Sequence, residues 1–261
     1  MKAALTGGAI LMASYGRLKR SQISVKSKND FVTEIDKKSE QAIIGIIQKS
    51  FPRDRIQAEE SGVSNGEERL WIIDPLDGTS NYIHQMPMFS ISIGVQENGI
   101  LTTGVIYDPL HNELFTAAKG RGAYLNRKKI HVSRVKRLAD AFMTTGIPFR
   151  ARGRFDEYFK SFRKISSSSM GLRRGGSAAL DLAYVASGRF DGFWEIDLSP
   201  WDTAAGAVLV REAGGNMTDV WGGQNYLKTG DILASNGLIH KELENITSDI
   251  FSFNKADKTC H

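Results

Sequence analysis

The 261-residue chain is 41% hydrophobic and 24% charged, a globular composition long enough for a sizeable core, in one large domain or two small ones. Its one cysteine, Cys260, excludes an internal disulfide and a zinc-type cysteine/histidine cluster, and points to a reducing, cytoplasmic compartment. A net charge of +5 suits an enzyme of anionic metabolites, a protein that touches nucleic acid, or simply scattered solvated lysines.

In chain order, the opening MKAALTGGAILMASYGRLKR sets Lys2 before a mildly apolar stretch. Thr6, Gly7 and Gly8 dilute it and no clear cleavage site follows, so a first helix with Ala4, Leu5, Ile10 and Leu11 inward is expected rather than a signal peptide. No apolar run approaches the ~18–20 residues of a membrane span. Residues 33–50 place Ile35, Ala42, Ile43, Ile46 and Ile47 at helical spacing, with Thr33 as N-cap, Asp36 at the capping-box position and Phe51-Pro52 as the stop. A short strand, 56–58, delivers Glu59-Glu60 to Ser61-Gly62. LWIID (70–74) reads as a buried strand. In MFSISIGV (88–95), Phe89, Ile91, Ile93 and Val95 share a face, and Asn98-Gly99 turns the chain into 100–109. Strands at 113–117 and 123–125 extend an antiparallel meander.

A second half begins near Ile130, dividing the chain into 1–130 and 131–261 within one continuous unit. Strands are expected at 141–145, 170–174, 190–196 and 231–235, and helices at 154–165, 177–188, 202–215 and 238–251. The mixture implies a layered α+β protein rather than one all-parallel sheet.

The stretch WIIDPLDGTSNY (71–82) carries the chemistry. Asp74 ends the apolar run, Pro75 lacks an N–H and should stop the ladder, Gly78 permits unusual backbone angles, and Thr79 and Ser80 are helix-start residues. Two carboxylates at ~4 Å repel by about 4 kcal/mol at an effective dielectric near 20. A hard divalent cation with oxygen ligands offsets that, and helix starts attract phosphate. Read alone, Asp-Pro and Asp-Gly also make plain surface turns, Glu59-Glu60 a solvated turn, and Asp202 an N-cap.

Taken in order, DFVTEID (30–36), AEESG (58–62), WIIDPLDGTSNY, RRGGSAALDLAYVASGRFDGFWE (173–195) and PWDTAAGAVLVREAGG (200–215) resemble the inositol monophosphatase family of Mg²⁺-dependent, lithium-sensitive phosphatases. GSAALDLAYVASGR and NELFTAAKGRGAYLN are most similar to its bacterial SuhB-type branch. The resemblance implies a layered αβαβα sandwich, a homodimer, and hydrolysis of myo-inositol 1-phosphate by a metal-activated water. Glu59, Asp74 and the Leu76 carbonyl resemble the ligands of a first Mg²⁺; Asp74, Asp77 and Asp202 resemble those of a second, with a third, weaker ion near Glu59. Asp36 and Thr79 resemble the pair that orients the attacking water, Gly78 and Thr79 the phosphate-binding N–H groups, and Ala178, Glu195 and Asp202 the groups near the sugar and leaving oxygen. Lys26 resembles a basic residue before the site.

Two rival readings share these residues. A related phosphatase acting on fructose 1,6-bisphosphate, a nucleotide phosphate or histidinol phosphate would use the same metal core, with Arg173-Arg174 available for a second phosphate; a surface or dimer-interface pair is their plainer role. Bacterial relatives of this type are also associated with transcription antitermination. The basic groups Arg17, Lys19, Arg20; Arg127, Lys128, Lys129; and Arg150, Arg152, Arg154 are the candidates for RNA or RNA polymerase contact, without a recognisable RNA-binding motif. His84 reads as an exposed loop residue.

Overall fold

The structure, a computed structural model, describes residues 1–18, 20–27, 30–148 and 152–251. Of the positions singled out above, Lys19, Arg150 and Cys260 lie outside these, as do the side chains of Arg20, Lys26 and Arg152.

Helix α1 (Lys2–Ser14) leads through the hairpin β1 (Ile23–Ser27) and β2 (Asp30–Thr33) to helix α2 (Glu34–Ser50), against which it packs. The inward face of α1 is Ala3, Ala4, Gly7, Gly8 and Leu11, whereas Leu5, expected inside, is exposed. The two glycines are the contact stripe: a Cβ on Gly7 would stand 2.8 Å from Ser39 Oγ, and one on Gly8 2.4 Å from the Tyr107 ring. Thr33 caps α2 as expected, accepting from the Ile35 and Asp36 N–H groups while the Asp36 carboxylate accepts from the Thr33 N–H at 3.0 Å.

Next come β3 (Arg55–Ala58), β4 (Gly62–Val63), β5 (Leu70–Asp77), the short helix α3 (Thr79–Ile83), and β6 (Ser90–Glu97), β7 (Ile100–Asp108), β8 (Glu113–Ala118), β9 (Gly122–Leu125) and β10 (Lys128–Ile130). They form one eight-stranded sheet in the order β10-β9-β8-β7-β6-β5-β3-β4, in which only β3 and β5 run parallel. Asn98 and Gly99 turn β6 into β7, both with positive φ, as that dipeptide predicts.

The remainder is β11 (Phe142–Thr145), α4 (Phe155–Ser168), β12 (Gly171–Arg173), α5 (Ala178–Ala186), β13 (Gly192–Glu195), α6 (Pro200–Glu212), β14 (Asn216–Thr218), α7 (Tyr226–Thr229), β15 (Ile232–Ser235) and α8 (His240–Ile250). Its strands make a mixed five-stranded sheet, β12-β11-β13-β15-β14. Alternation along β13 shows how it is buried: Phe193 joins a core with α5, α6 and the first sheet, while Trp194 joins Ile165 of α4 and Leu243 of α8 on the other face. The layers therefore run α1/α2, first sheet, α5/α6, second sheet, α4/α8. This is the layered α+β sandwich expected from the sequence. The β1/β2 hairpin, β14 and α7 had no clear sequence signal.

Close approach of α6 to the first sheet rests on small residues. A Cβ on Gly94 would lie 2.7 Å from Ala204 Cβ, and one on Gly104 2.4 Å from Ala205 O. The second face of β6, Ser90, Ser92 and Gly94, is thus covered by helices and not by water; both serines are fully buried.

Candidate active site

Pro75 does not end β5. The strand continues to Asp77, and its register against β6 shifts between Asp74, opposite Ser92, and Asp77, opposite Ser90. Three steps on β5 match two on β6, so Pro75-Leu76 contributes one extra residue, a bulge. This has a direct consequence for the carboxylates. In a regular strand, residues three apart point to opposite faces; the extra residue returns both aspartates to the same face. Asp74 and Asp77 then stand above the two buried serines of β6.

Asp202 reaches the same place from α6. It is the third helical residue and not the N-cap: Ser199 precedes Pro200, and the Ser199 N–H donates to Asp202 Oδ2 at 2.7 Å. Ser92 Oγ donates to Trp201 O at 2.9 Å, tying the start of α6 to the strand opposite Asp74. One carboxylate oxygen from each of Asp74, Asp77 and Asp202 lies within 4.8 Å of the others, the one such acidic cluster among the described residues. All three side chains are buried or nearly so.

Hydrogen bonds aim the carboxylates. Asp74 Oδ1 accepts from the Leu76 N–H at 2.9 Å. Asp77 Oδ2 accepts from the Ala179 N–H at 2.9 Å and from the Ser177 hydroxyl, at the start of α5. Burial still dominates the energetics. It raises Asp74 well above the usual carboxylate range, aided by the charges of Glu59, Asp77 and Asp202. Asp77 is raised to about 6, by burial first and against the Ser177 and Ala179 bonds, with the Glu59 charge adding to the rise.

Glu59 follows β3, its N–H bonded to Ile73 O at 3.2 Å across the parallel pair. It is half-buried and outside the tight trio, yet its charge acts on Asp36, Asp74 and Asp77, so it flanks the site. Asp36 is fully buried and pushed up to about 6 by burial. Its Oδ1 lies 3.2 Å from Thr79 Oγ1, which is also 3.0 Å from Leu76 O; one hydroxyl proton serves both acceptors.

Gly78 adopts φ +89°, and a Cβ there would meet Met88 O at 2.9 Å and Gly176 O at 3.2 Å. Glycine is required on both counts. It lets the start of α3 sit under the loop that precedes α5, which Asn81 Nδ2 clamps through Met88 O at 2.7 Å and Gly175 O at 3.0 Å. Ala178 is the first residue of α5. Glu195, at the end of β13, is raised well above its ordinary value by burial, then by Asp181 and Asp202, while the Arg174 charge opposes the rise. Its carboxylate packs on Gly146, where a Cβ would stand 2.0 Å from Oε2.

Hard oxygen donors crowded in this way fit a divalent cation better than any other group. The sequence profile of the Inositol monophosphatase family matches residues 1–251. The chain belongs to that family. "Nus factor SuhB" of Escherichia coli K12 is 45% identical over 245 residues, covering 93% of this chain and 92% of that protein. "Inositol-1-monophosphatase" of Mesorhizobium japonicum is 41% identical over 245 residues, at the same coverages. Among solved structures, the extragenic suppressor protein suhB of Bartonella henselae superposes with a TM-score of 0.92 at 40% identity, covering 96% of this chain and 97% of that one.

Several residues of this family member's site had no distinct sequence signal. Ser90 and Ser92 read as the outer face of a half-buried strand. Ser177 reads as a helix cap, which it also is: its hydroxyl accepts from the Leu180 N–H at 3.4 Å. Asp181, inside α5, reads as a solvated position but is buried with Oδ1 accepting from Thr144 at 2.8 Å. The basic candidates divide. Arg17, Arg127, Lys128, Lys129, Arg173 and Arg174 are exposed, as is His84. Arg154 is instead bound to Asp231 at 2.7 Å and lies over the Trp221 and Phe251 rings, so it is packing and not surface charge. No helix among the described residues is long and apolar enough to cross a membrane.

Proposed function

We propose that the protein is a Mg²⁺-dependent phosphomonoesterase that hydrolyses myo-inositol 1-phosphate to inositol and phosphate. The observation that carries this reading is the convergence of Asp74, Asp77 and Asp202 at one buried point, beside Glu59, where burial and mutual repulsion raise Asp74 and Asp77. Glu59, Asp74 and the Leu76 carbonyl would hold one cation, Asp74, Asp77 and Asp202 a second, and Glu59 a third, weaker one. When bound, Mg²⁺ offsets the phosphate charge and lowers the pKa of water in the site.

The chain's own groups do the rest. The N–H groups of Gly78 and Thr79, at the start of α3, bind phosphate oxygens and fix phosphorus in place. The Thr79 hydroxyl, within reach of Asp36 and Leu76 O, orients the attacking water. Asp36, with a pKa of about 6, is mostly ionised at neutral pH and accepts the water proton through Thr79. As the new P–O bond forms, the ester P–O bond breaks and the inositol oxygen leaves beside Asp202, taking up a proton from solvent water to become the inositol hydroxyl. Glu195 and the Ala178 backbone take the ring hydroxyls. Positioning and charge stabilisation supply most of the acceleration. In this reading the enzyme is a cytoplasmic homodimer.

The test is phosphate release across a panel of myo-inositol 1-phosphate, fructose 1,6-bisphosphate, histidinol phosphate and a nucleotide monophosphate, with and without Mg²⁺ and with Li⁺ titrated in. Mg²⁺-dependent, Li⁺-inhibited release from the inositol ester is expected. Preference for the bisphosphate would favour the alternative sugar phosphatase, with Arg173-Arg174 as the second phosphate site. Absence of Mg²⁺-dependent release from every substrate would reject an enzyme.

Relatives described as Nus factors support a second role, in transcription antitermination through RNA polymerase or RNA. Salt-dependent binding to either, retained in Asp77→Asn, is the expected result; no binding at low salt dismisses it.

A further inference from the structure

Glu40 takes no part in the chemistry above, yet it is 2% exposed, an unusual place for a carboxylate. It shares one face of α2 with Asp36 and Ser39, at the spacing that stacks side chains along a helix. Each of the three reaches a different segment of the site. Asp36 Oδ1 accepts from Thr79 Oγ1 at 3.2 Å, Ser39 Oγ donates to Pro75 O at 3.1 Å, and Glu40 Oε2 accepts from the Glu60 N–H at 2.8 Å. The helix is itself held in the core by Ile35, Ile43 and Ile47. One rigid element therefore spans the β3 turn, the β5 bulge and the start of α3.

The consequence falls on Glu59. Its own N–H is bonded to Ile73 O at 3.2 Å, and the next N–H along the chain is bonded to Glu40 at 2.8 Å. Peptides held on both sides of a residue fix its Cα–Cβ direction. The first bond belongs to the sheet and sets the height of Glu59 beside Asp74. The second comes from α2 and sets the twist of the turn that aims the carboxylate.

We propose that Glu40 is the positioning residue of Glu59, setting how tightly the site holds its divalent cation without touching it. This rests on Glu59 being a cation ligand, the reading given above. Partners that orient a ligand are typically worth about 10–100-fold in metal affinity. A carboxylate that served only to satisfy the N–H of a turn would cost stability when removed and leave cation affinity unchanged.

The experiment is isothermal titration of the metal-free, full-length protein with Mg²⁺ and with Mn²⁺ alone, alongside melting in chelator and kcat as a function of Mg²⁺. Glu40→Leu is expected to weaken binding by about 10–100-fold and to raise the Mg²⁺ concentration for half-maximal activity equally. Its kcat at saturating Mg²⁺ should return close to the unsubstituted value. Glu40→Gln, whose amide oxygen can accept the same N–H, should keep most of the affinity. A loss in Glu40→Gln as large as in Glu40→Leu overturns the proposal, because charge and not position would then be responsible. Adding Glu40→Leu to Glu59→Gln should cost nothing further; additive losses overturn it too. If Glu40→Leu does not fold, Glu40→Asp, shorter by one methylene, decides: unchanged cation affinity rejects the positioning role. Unaltered cation binding in Glu59→Gln would sink the ligand assignment itself, a failure separate from that of Glu40.

Discussion

Asp77→Asn should make the metal-free protein more stable and the enzyme nearly inactive. The carboxylate oxygens of Asp74, Asp77 and Asp202 lie within 4.8 Å of one another. Two unit charges at that separation and an effective dielectric near 20 repel by roughly 3.5 kcal/mol. Burial is a further cost, and with the Glu59 charge it is what raises Asp77. Asp77 is raised from 3.8 to about 6 in the fold, and at about 1.4 kcal/mol per unit its ionised form costs roughly 3 kcal/mol at neutral pH. Asparagine removes the charge, and its carbonyl can still accept from Ser177 and the Ala179 N–H. At roughly 2–4 °C per kcal/mol for a chain of this size, the metal-free melting temperature should rise by roughly 6–14 °C. Turnover with Mg²⁺ should fall by at least ~10²-fold, the scale of one lost electrostatic stabiliser. Calorimetry in chelator at pH 7.5 and phosphate release at saturating Mg²⁺ measure the two halves. If the variant melts at or below the unsubstituted protein and Mg²⁺ stabilises both alike, the charge argument is wrong.

Acidity should act on the metal-free protein in an unusual direction. Asp36 and Asp77 have folded pKa values of about 6, above the 3.8 of an unfolded chain, so the native state binds their protons first. Their stabilising contribution is complete below about 3.8 and is lost as pH rises through about 6. Melting temperature in chelator should therefore climb between pH 7.5 and 5, and saturating Mg²⁺ should flatten or reverse the trend. A metal-free protein that loses stability steadily over that range contradicts it. Gly78→Ala combines a strained φ with contacts at 2.9 and 3.2 Å to backbone oxygens, and should cost about 2–3 kcal/mol with loss of phosphate binding. Denaturant unfolding and inorganic phosphate titration read both effects; a neutral variant removes the close-packed loop from the argument. Gly146→Ala should displace Glu195 and raise KM for the inositol ester more than it lowers kcat, because its Cβ would occupy the position of Oε2. An unchanged KM would detach Glu195 from substrate.

What the sequence disclosed about this fold follows from how local each signal is. The helix at 34–50 was visible because its cap, Thr33 and Asp36, and its isoleucines act within one element. The Asp-Pro-x-Asp-Gly-Thr run announced a site for the same reason. The bulge was not legible: Pro75 reads as a stop, and only pairing with β6 shows that the chain spends an extra residue and carries on. Ser90, Ser92 and Gly94 were hidden by the same limit. Alternation identifies a second face but not whether helix or water covers it, and here Ala204 and Ala205 arrive from more than a hundred residues away. Leu5 was expected inside because hydrophobicity ranks leucine there, while the decisive quantity on α1 was how close Tyr107 comes to Gly8. Glu40 gave no signal, since a helical glutamate is ordinarily solvated and its partner is a backbone N–H.

The lateness of Asp202 in the chain has a bearing on how the protein comes to life on the ribosome. When the first sheet has emerged, Asp74 and Asp77 are already side by side on their bulge, but α6 has not yet been synthesised. A nascent polypeptide at that stage holds two of the three aspartates that cluster in the finished fold. The three carboxylates can therefore come together only once α6 has settled on the small-residue strip beneath it, so any cation that needs all three couples to that late packing step.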